Sequence, residues 1–298
     1  MLTIFTIPKA FSGHIGNIQR NAIRSWKQFG SECEVILLGD DAGTAEVANE
    51  LGVRHIPAIA RSREGKPLIS SVFAEAQSAA SHSILCYVNA DIILMDDFLQ
   101  AVRSVARQES SFLLVGRRWD CDVHEPFDFS NGWEPRLRCL LAENGRLHAH
   151  TGIDYFVFPR GLWAEIPPFA IGRGAWDNWL IYQAKSQGTP VIDLTPMVEV
   201  AHQNHDYGYV GGRKSDPFNS PGAAENLALA GGYARLYTVA DANFQLTSKG
   251  IRRNLTPYYF YRRLVTLSRS HRTARWVLKA VRFVLGTVRG EKDTFAIE

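Results

Sequence analysis

Three features of this 298-residue sequence predict an α/β fold with a mostly parallel central sheet flanked by helices. Short apolar runs alternate with helix-periodic stretches through the first hundred residues. The run from Ser83 to Val88 is apolar without interruption, as expected of a strand covered by helices on both faces. Polar and acidic residues follow the runs directly, at Asp40 and at Asn89-Ala90-Asp91, where an open α/β sheet collects its ligands.

The elements follow in order. Leu2 to Ile7 is expected as a strand. His14 to Phe29 is expected as a helix with Ile15, Ile18, Ala22, Ile23 and Trp26 on one side. Glu34 to Leu38 is a second strand, and Thr44 is the expected N-cap of a helix to Leu51. Val53 to Ile59 is a third strand, placed near an edge by Pro57. Pro67 is expected to open a helix running to Ser81. Further strands are expected at Phe112 to Gly116, Tyr155 to Phe158 and 190–200, with a helix at Pro135 to Glu143. Gly208 to Gly222, rich in glycine, proline and serine, is expected as a mobile loop beside the site.

With 46% hydrophobic and 21% charged residues, the chain has enough apolar material for a large core without disulfide staples. Cys33, Cys86, Cys121 and Cys139 form no C-x-x-C pair, which points to reduced thiols in a cytoplasmic protein. The Met1 to Ile7 run is too short for a signal-peptide core, and no run of about 18 apolar residues exists to span a membrane. The charge is uneven. Residues 249–298 carry 12 Lys/Arg and 3 Asp/Glu (net +9), while the other 248 carry 21 and 27 (net −6).

Three groups of residues offer chemistry. Asp91, directly after the most apolar strand, can hold a divalent cation against a diphosphate; alternatively it caps the segment Ile92 to Leu99. His202 and His205, three residues apart with Asp206 and Tyr207 adjoining, can bring two imidazoles to the same ion. Otherwise one ring fixes the loop while the other faces water. In Gly172-Arg173-Gly174-Ala175-Trp176-Asp177-Asn178-Trp179, Trp176 and Trp179 offer flat faces for a sugar ring and Asp177 a general base. The structural alternative starts a helix at Asp177, spanning Asn178 to Ala184, with both tryptophans in the core.

These motifs, in this order over residues 1–245, resemble those of GT-A type glycosyltransferases, in particular a bacterial group related to the inverting family two. The resemblance is carried by Thr6-Ile7-Pro8, Asn89-Ala90-Asp91, Gly116-Arg117-Arg118-Trp119-Asp120, Asp154 to Phe158, the Gly-x-Gly-x-Trp-Asp block and His202 to Tyr207. It implies a nucleotide-sugar donor, a glycan or lipid-linked glycan acceptor, and a divalent cation, Mn2+ or Mg2+. It assigns Asp91, His202 and His205 to the metal and Asp177 to the catalytic base, with Trp176 standing where relatives often carry a first acid. Asn89 stands where the first acid of the Asp-x-Asp motif is expected. Pro8, Lys9, Asp40, Asn89, Asp91 and Arg117 fall on the donor side, and Trp176, Asn178 and Trp179 on the acceptor side. Arg117 anchors the pyrophosphate or pairs with Asp120. Arg61, Arg63 and Lys66 lie on a loop that contacts base or phosphate, or they are solvated charges.

A GT-A domain over 1–245 leaves a basic tail over 246–298. Thr256-Pro257 is a helix start, and Trp276, Val277, Ala280, Val281, Val284, Leu285 and Val288 share a helix face opposite Arg275, Lys279, Arg282 and Arg289. Residues 249–290 therefore pack on the domain or attach the enzyme to the anionic inner face of the cell membrane. No nucleic-acid motif accompanies the charge. The competing functions are a metal hydrolase on His202 and His205, a sugar-nucleotide pyrophosphorylase, and a non-catalytic sugar-nucleotide-binding scaffold. The pyrophosphorylase needs a glycine-rich basic loop that Ala10 to Gly16 does not supply.

Overall fold

The computed structural model describes residues 1–123, 125–205, 222–268 and 276–278. The first half builds β1 (Leu2–Thr6), α1 (Gly13–Lys27), β2 (Cys33–Leu38), α2 (Thr44–Leu51), β3 (Arg54–Ile56), α3 (Ile69–Ala79) and β4 (Ile84–Val88). Then come β5 (Ile92–Ile93), α4 (Asp96–Ala106), β6 (Leu113–Val115), β7 (Trp119–Cys121), α5 (Trp133–Asn144), β8 (Arg146–Leu147) and β9 (Tyr155–Pro159). The remainder is α6 (Trp176–Ser186), β10 (Val191–Asp193), β11 (Ala201–Gln203), α7 (Ala223–Ala230), β12 (Phe244–Thr247), β13 (Gly250–Arg253) and α8 (Pro257–Ser268).

Among the described residues nine strands form one sheet in the order β13-β12-β10-β6-β9-β4-β1-β2-β3. Strands β3, β2, β1 and β4 run parallel, as do β6, β10 and β12, while β9 is antiparallel between β4 and β6. Successive strand residues face opposite sides, and both sides are buried. Leu2, Ile4, Leu37, Cys86 and Val88 join a core with α1, α2 and α4; Phe5, Ile36, Leu85 and Tyr87 join another with α3 and α6. A smaller four-stranded sheet, β5-β11-β7-β8, lies over α5 and encloses a third core around Met95, Trp133 and Leu137.

Several local expectations are corrected. Gly43, with φ 85°, is the N-cap of α2, and Thr44 is its first residue, bonding back to the Asp41 carbonyl. Pro67 pairs with Arg61 in an isolated bridge, which delays α3 to Ile69. Residues 190–200 hold the short β10, and the chain then crosses to the small sheet as β11. The expected boundary at 245/246 falls within β12, and β13 continues the main sheet, so residues up to Ser268 belong to the domain. Helix α8 is fastened by a buried ion pair, Arg262 to Asp241 at 2.8 Å. The loop Gly208 to Gly222 and most of the amphipathic tail helix lie outside the described residues. Gly222 is seen as the N-cap of α7, and Trp276 to Leu278 as part of that tail. All four cysteines are free thiols, and among the described residues no helix is long and apolar enough to cross a membrane.

Gly116, between β6 and the site, marks a close approach. A Cβ there would stand 2.1 Å from the Tyr155 hydroxyl, which is itself buried without a hydrogen-bond partner. Overpacking of this kind costs about 1–3 kcal/mol. Gly116→Ala is expected to lower stability by that amount in urea denaturation. The pair Gly116→Ala/Tyr155→Phe is expected to recover part of it, because the second change removes the clashing oxygen.

Candidate active site

The site assembles where the parallel strands end. Pro8 and Lys9 follow β1, Asp40 follows β2, Asn89 to Asp91 follow β4, and Gly116 to Asp120 follow β6. Because β9 is antiparallel, its first residues lie at the same edge: Tyr155 is paired with Val88, and the Asn89 amide N–H donates to the Asp154 carbonyl at 2.9 Å. The small sheet supplies His202, and His205 follows its strand β11 by two residues. In β11, His202 is in register with Ile92 of β5 and with Asp120 of β7. That pairing brings two distant segments to the residue beside Asp91.

Asp91, His202 and His205 converge, each offering a ligand atom within 4.8 Å of the others. His205 Nε2 is 3.1 Å and His202 Nε2 3.6 Å from Asp91 Oδ2. Asp91 Oδ1 is buried and has no partner among the described residues. An orphaned carboxylate oxygen beside two imidazole nitrogens is a donor set that suits a divalent transition ion, so these residues fit the cation implied by the motifs. Burial pushes the Asp91 carboxyl up, but the hydrogen bonds and charges of His202 and His205 outweigh it and hold the group well below the usual carboxylate range. His202 is pushed down by burial and up by Asp120 and Asp91, ending at about 9. The helix α4 begins at Asp96 with Met95 as N-cap, so Asp91 does not act as its cap.

Behind these groups runs a charged chain. Asp120 lies 3.2 Å from His202 Nδ1 and 2.6 Å from His148 Nδ1, and it accepts Arg118 Nε at 2.8 Å. Arg118, itself buried, donates to Asp154 Oδ1 at 2.6 Å. The same oxygen accepts the Asn89 side-chain amide at 2.8 Å, and Asn89 Oδ1 accepts the Tyr87 hydroxyl at 3.2 Å. The ion pair offered for Arg117 therefore belongs to Arg118. Arg117 instead donates from Nε to the His148 carbonyl at 2.6 Å, and its main-chain N–H donates to Thr195 Oγ1 at 2.9 Å. Among these charged groups, the motifs offer Asp120 only as a partner for Arg117, hold Arg118 and Asp154 only within longer blocks, and leave His148 out.

Asp177 sits in the first turn of α6, after Ala175, whose φ of 88° makes it the sole described non-glycine residue in the left-handed region. Burial pushes the Asp177 carboxyl up; nearby backbone N–H groups pull it down and Asp154 pushes it further up, to about 6. Its Oδ1 is buried without a partner. Asp91, Asp154 and Asp177 all bear on the Tyr87 phenol, whose pKa is raised first by burial and then by these three charges. Asp91, Asp154 and Asp177 thus share one neighbourhood.

The acceptor-side expectation is corrected. Trp176 and Trp179 are 8% and 6% exposed and sit in the core, Trp176 edge-on to Tyr87 at 5.4 Å and Trp179 against Phe169 at 5.5 Å. Asn178 is buried and donates its amide to the Tyr237 carbonyl at 2.8 Å. These side chains form the wall that holds Asp177 and have no face left for a sugar. On the donor side, Pro8 is buried, and Gln19 clamps Lys9 through both backbone groups at 2.7 and 2.9 Å, leaving its side chain exposed. Asp40 is exposed and paired with Arg61, which lowers its pKa; Arg63 and Lys66 share the Arg61 loop.

The sequence matches no protein-family model and no curated protein. Solved structures do match. The chain is similar to residues 1–349 of S. aureus TarS in complex with UDP-GlcNAc, with a TM-score of 0.51 and 11% identity over 77% of this chain and 65% of that one. It thus spans a little under two-thirds of that structure. It is also similar to M. tuberculosis glucosyl-3-phosphoglycerate synthase, with a TM-score of 0.47 and 13% identity over 78% of this chain and 81% of that one. The likeness to TarS shows that the chain has the GT-A fold its motifs led us to expect.

The buried Asp154 charge contributes to the raised pKa of Asp177. Asp154→Asn is expected to move the Asp177 titration, followed by carboxyl NMR, to lower pH. An unmoved titration would show that burial alone sets it.

Proposed function

We propose that this chain is a glycosyltransferase that moves a sugar from a nucleotide-sugar donor to a hydroxyl acceptor, with inversion and with a divalent cation. The observation that carries this reading is the convergence of Asp91, His202 and His205 at the strand-end edge of a GT-A sheet, beside a carboxylate whose pKa lies near 6. A cation bound there would supply neutralising charge to the departing diphosphate. Asp91, His202 and His205 hold it, while Lys9, Asp40 and Arg117 line the edge where nucleotide and pyrophosphate lie. Asp177 takes the proton of the acceptor hydroxyl as that oxygen attacks the anomeric carbon. The TarS structure of like fold was solved with UDP-GlcNAc, which supports a UDP-class donor. A hydrolase on His202 and His205 leaves Asp177 without a role, and the scaffold reading forbids turnover.

Donor binding is tested by thermal shift with a set of nucleotide sugars, with and without Mn2+. One nucleotide class is expected to stabilise the protein by about 2.7 kcal/mol at a hundredfold excess over Kd, only with metal and not in Asp91→Ala. No shift with any donor would sink the transferase reading.

Catalysis has a pH signature. A base with a pKa of about 6 is protonated and inactive below that value and active above it, so kcat/KM should rise through pH 6 and then level. Asp177→Asn is expected to lower kcat roughly 10²–10⁴-fold, with donor affinity retained.

The acceptor in this proposal is a lipid-linked glycan at an anionic membrane surface. Leu255 and Phe260 are 68% and 56% exposed, next to exposed Lys249, Arg252 and Arg253. Each basic residue near such a surface contributes about 1 kcal/mol. The protein is expected to sediment with vesicles containing phosphatidylglycerol but not with pure phosphatidylcholine, and Leu255→Glu/Phe260→Glu is expected to reduce the bound fraction. Failure to sediment with either would confine the acceptor to solution.

A further inference from the structure

We infer that two buried asparagines, Asn226 and Asn178, form a clamp that positions Asp177, one holding the chain before it and the other the chain after it. The inference rests on the reading of Asp177 as the base and adds the residues that aim it.

The need for a clamp comes from the backbone. Asp177 stands in the first turn of α6, two residues past Ala175, whose φ of 88° is a left-handed conformation that a Cβ disfavours. Such a conformation persists only where its surroundings enforce it. Burial pushes the Asp177 carboxyl up, and what pulls against burial is the backbone N–H of Asn178 and of Asp177 itself. Its Oδ1 has no partner among the described residues. The direction of this carboxyl therefore follows the path of the main chain.

Asn226 sets that path from upstream. It is 1% exposed and lies in α7, the first described helix after His205. Its Oδ1 accepts the Ala170 N–H at 2.9 Å. Its amide donates to the carbonyls of Ala170 at 3.0 Å and Gly174 at 3.1 Å. One side chain thus joins both ends of the loop that leads to Ala175. The start of that loop is also held by main-chain bonds, from Ile69 to the Phe169 carbonyl and from Ile171 to the Pro67 carbonyl, both at 2.9 Å. An amide suits the place because it supplies an acceptor and two donors on one short side chain.

Asn178 works from downstream. Its side-chain amide donates to the Tyr237 carbonyl at 2.8 Å, and the Tyr237 N–H donates to the Asn178 carbonyl at 3.2 Å. Asn226 and Tyr237 belong to one stretch of chain, which runs from α7 through the short 3-10 turn Tyr233–Arg235. That stretch grips Asp177 on both flanks. Both asparagines act through the main chain, which makes them positioning residues.

Buried amides satisfied in this way also stabilise the fold, so aim and stability have to be read separately. The test is the Asp177 titration, followed by carboxyl NMR in the intact protein and assigned by its absence from Asp177→Asn. Asn226→Ala and Asn178→Ala are each expected to move the midpoint from about 6 to lower pH, because a loosened main chain admits water to a carboxyl that burial holds up. Val105→Ala, in α4 on the other side of the sheet, is expected to lower stability in urea without moving the midpoint. UDP-GlcNAc with Mn2+ is expected to raise the melting temperature of both asparagine variants as it does that of the wild type. Asn226→Ala is expected to slow UDP release from UDP-GlcNAc roughly 10²-fold in kcat at unchanged KM. A midpoint that stays in place in both asparagine variants would overturn the clamp, even where urea shows a loss of stability. So would a midpoint that moves as far in Val105→Ala. If the wild type itself ignores UDP-GlcNAc and Mn2+, the donor reading fails, and the titration still decides the clamp.

Discussion

The site depends on the register of one three-residue strand. Ala201–Gln203 pairs antiparallel with β5 and parallel with β7, and this double pairing sets His202 beside Asp120 and next to Asp91. A slip of one residue would turn every side chain of the strand to its opposite face and withdraw the imidazole. So short a strand has little hydrophobic pattern to hold it. The register is held instead by polar bonds from Gln203, fully buried, whose amide donates to the Ile18 carbonyl at 2.8 Å and the Asp91 carbonyl at 3.1 Å. Its oxygen accepts from Asn21, also fully buried, at 2.9 Å. Buried amides satisfied in one register only would be left unpaired in any other, a penalty of about 1–3 kcal/mol each.

Charge is the second constraint. Asp91, Asp120, Asp154 and Asp177 gather in one neighbourhood, and Arg118 is the buried guanidinium that joins two of them across the two sheets. An excess of carboxylates would repel a nucleotide diphosphate. In the proposed reaction a cation at Asp91 would reverse that field for the diphosphate, and so would tie donor binding to metal binding. Burial, with a smaller push from Asp154, keeps Asp177 from ionising at the usual carboxylate pH. Helix α6 begins with its backbone N–H groups beside that carboxylate, which restrains the shift. The balance of burial and these N–H groups leaves the carboxyl at about 6.

Much of the fold was legible because periodicity and strand-end punctuation are local signals. The strands β1, β2 and β4 and the helices α1 and α5 lie within a few residues of expectation, and Asp91, His202 and His205 meet as their motifs implied. What was not legible depends on direction and pairing. Nothing in Tyr155 to Phe158 says that the strand runs antiparallel, yet that direction is what puts Asp154 at the site edge. Arg117 and Arg118 are adjacent and chemically alike, and only the path of the chain into β7 decides which one reaches Asp120. The tryptophans of the Asp177 block read equally as sugar platforms or core. Burial between α6 and the sheet decided for core, through contacts with Tyr87, Phe156 and Phe169 that lie far off in the chain. The two strands past residue 243 were hidden by the basic charge that follows them.

The departure from the motif at Asn89 is explained by its neighbours. Asp154 Oδ1 already accepts Arg118 at 2.6 Å and Asn89 at 2.8 Å. An acid at 89 would offer that oxygen a lone pair instead of a proton, adding a fifth carboxylate to a cluster with one buried guanidinium. An amide does the opposite. It donates to Asp154 and accepts from Tyr87, satisfying two buried groups with one neutral side chain. With no acid at 89, the groups that converge on Asp91 among the described residues are the imidazoles of His202 in β11 and His205 in the loop after it. The histidine pair and the amide at 89 are thus two sides of one arrangement, in which neutral or imidazole nitrogen stands around Asp91 and Asp154 where further carboxylates would repel them.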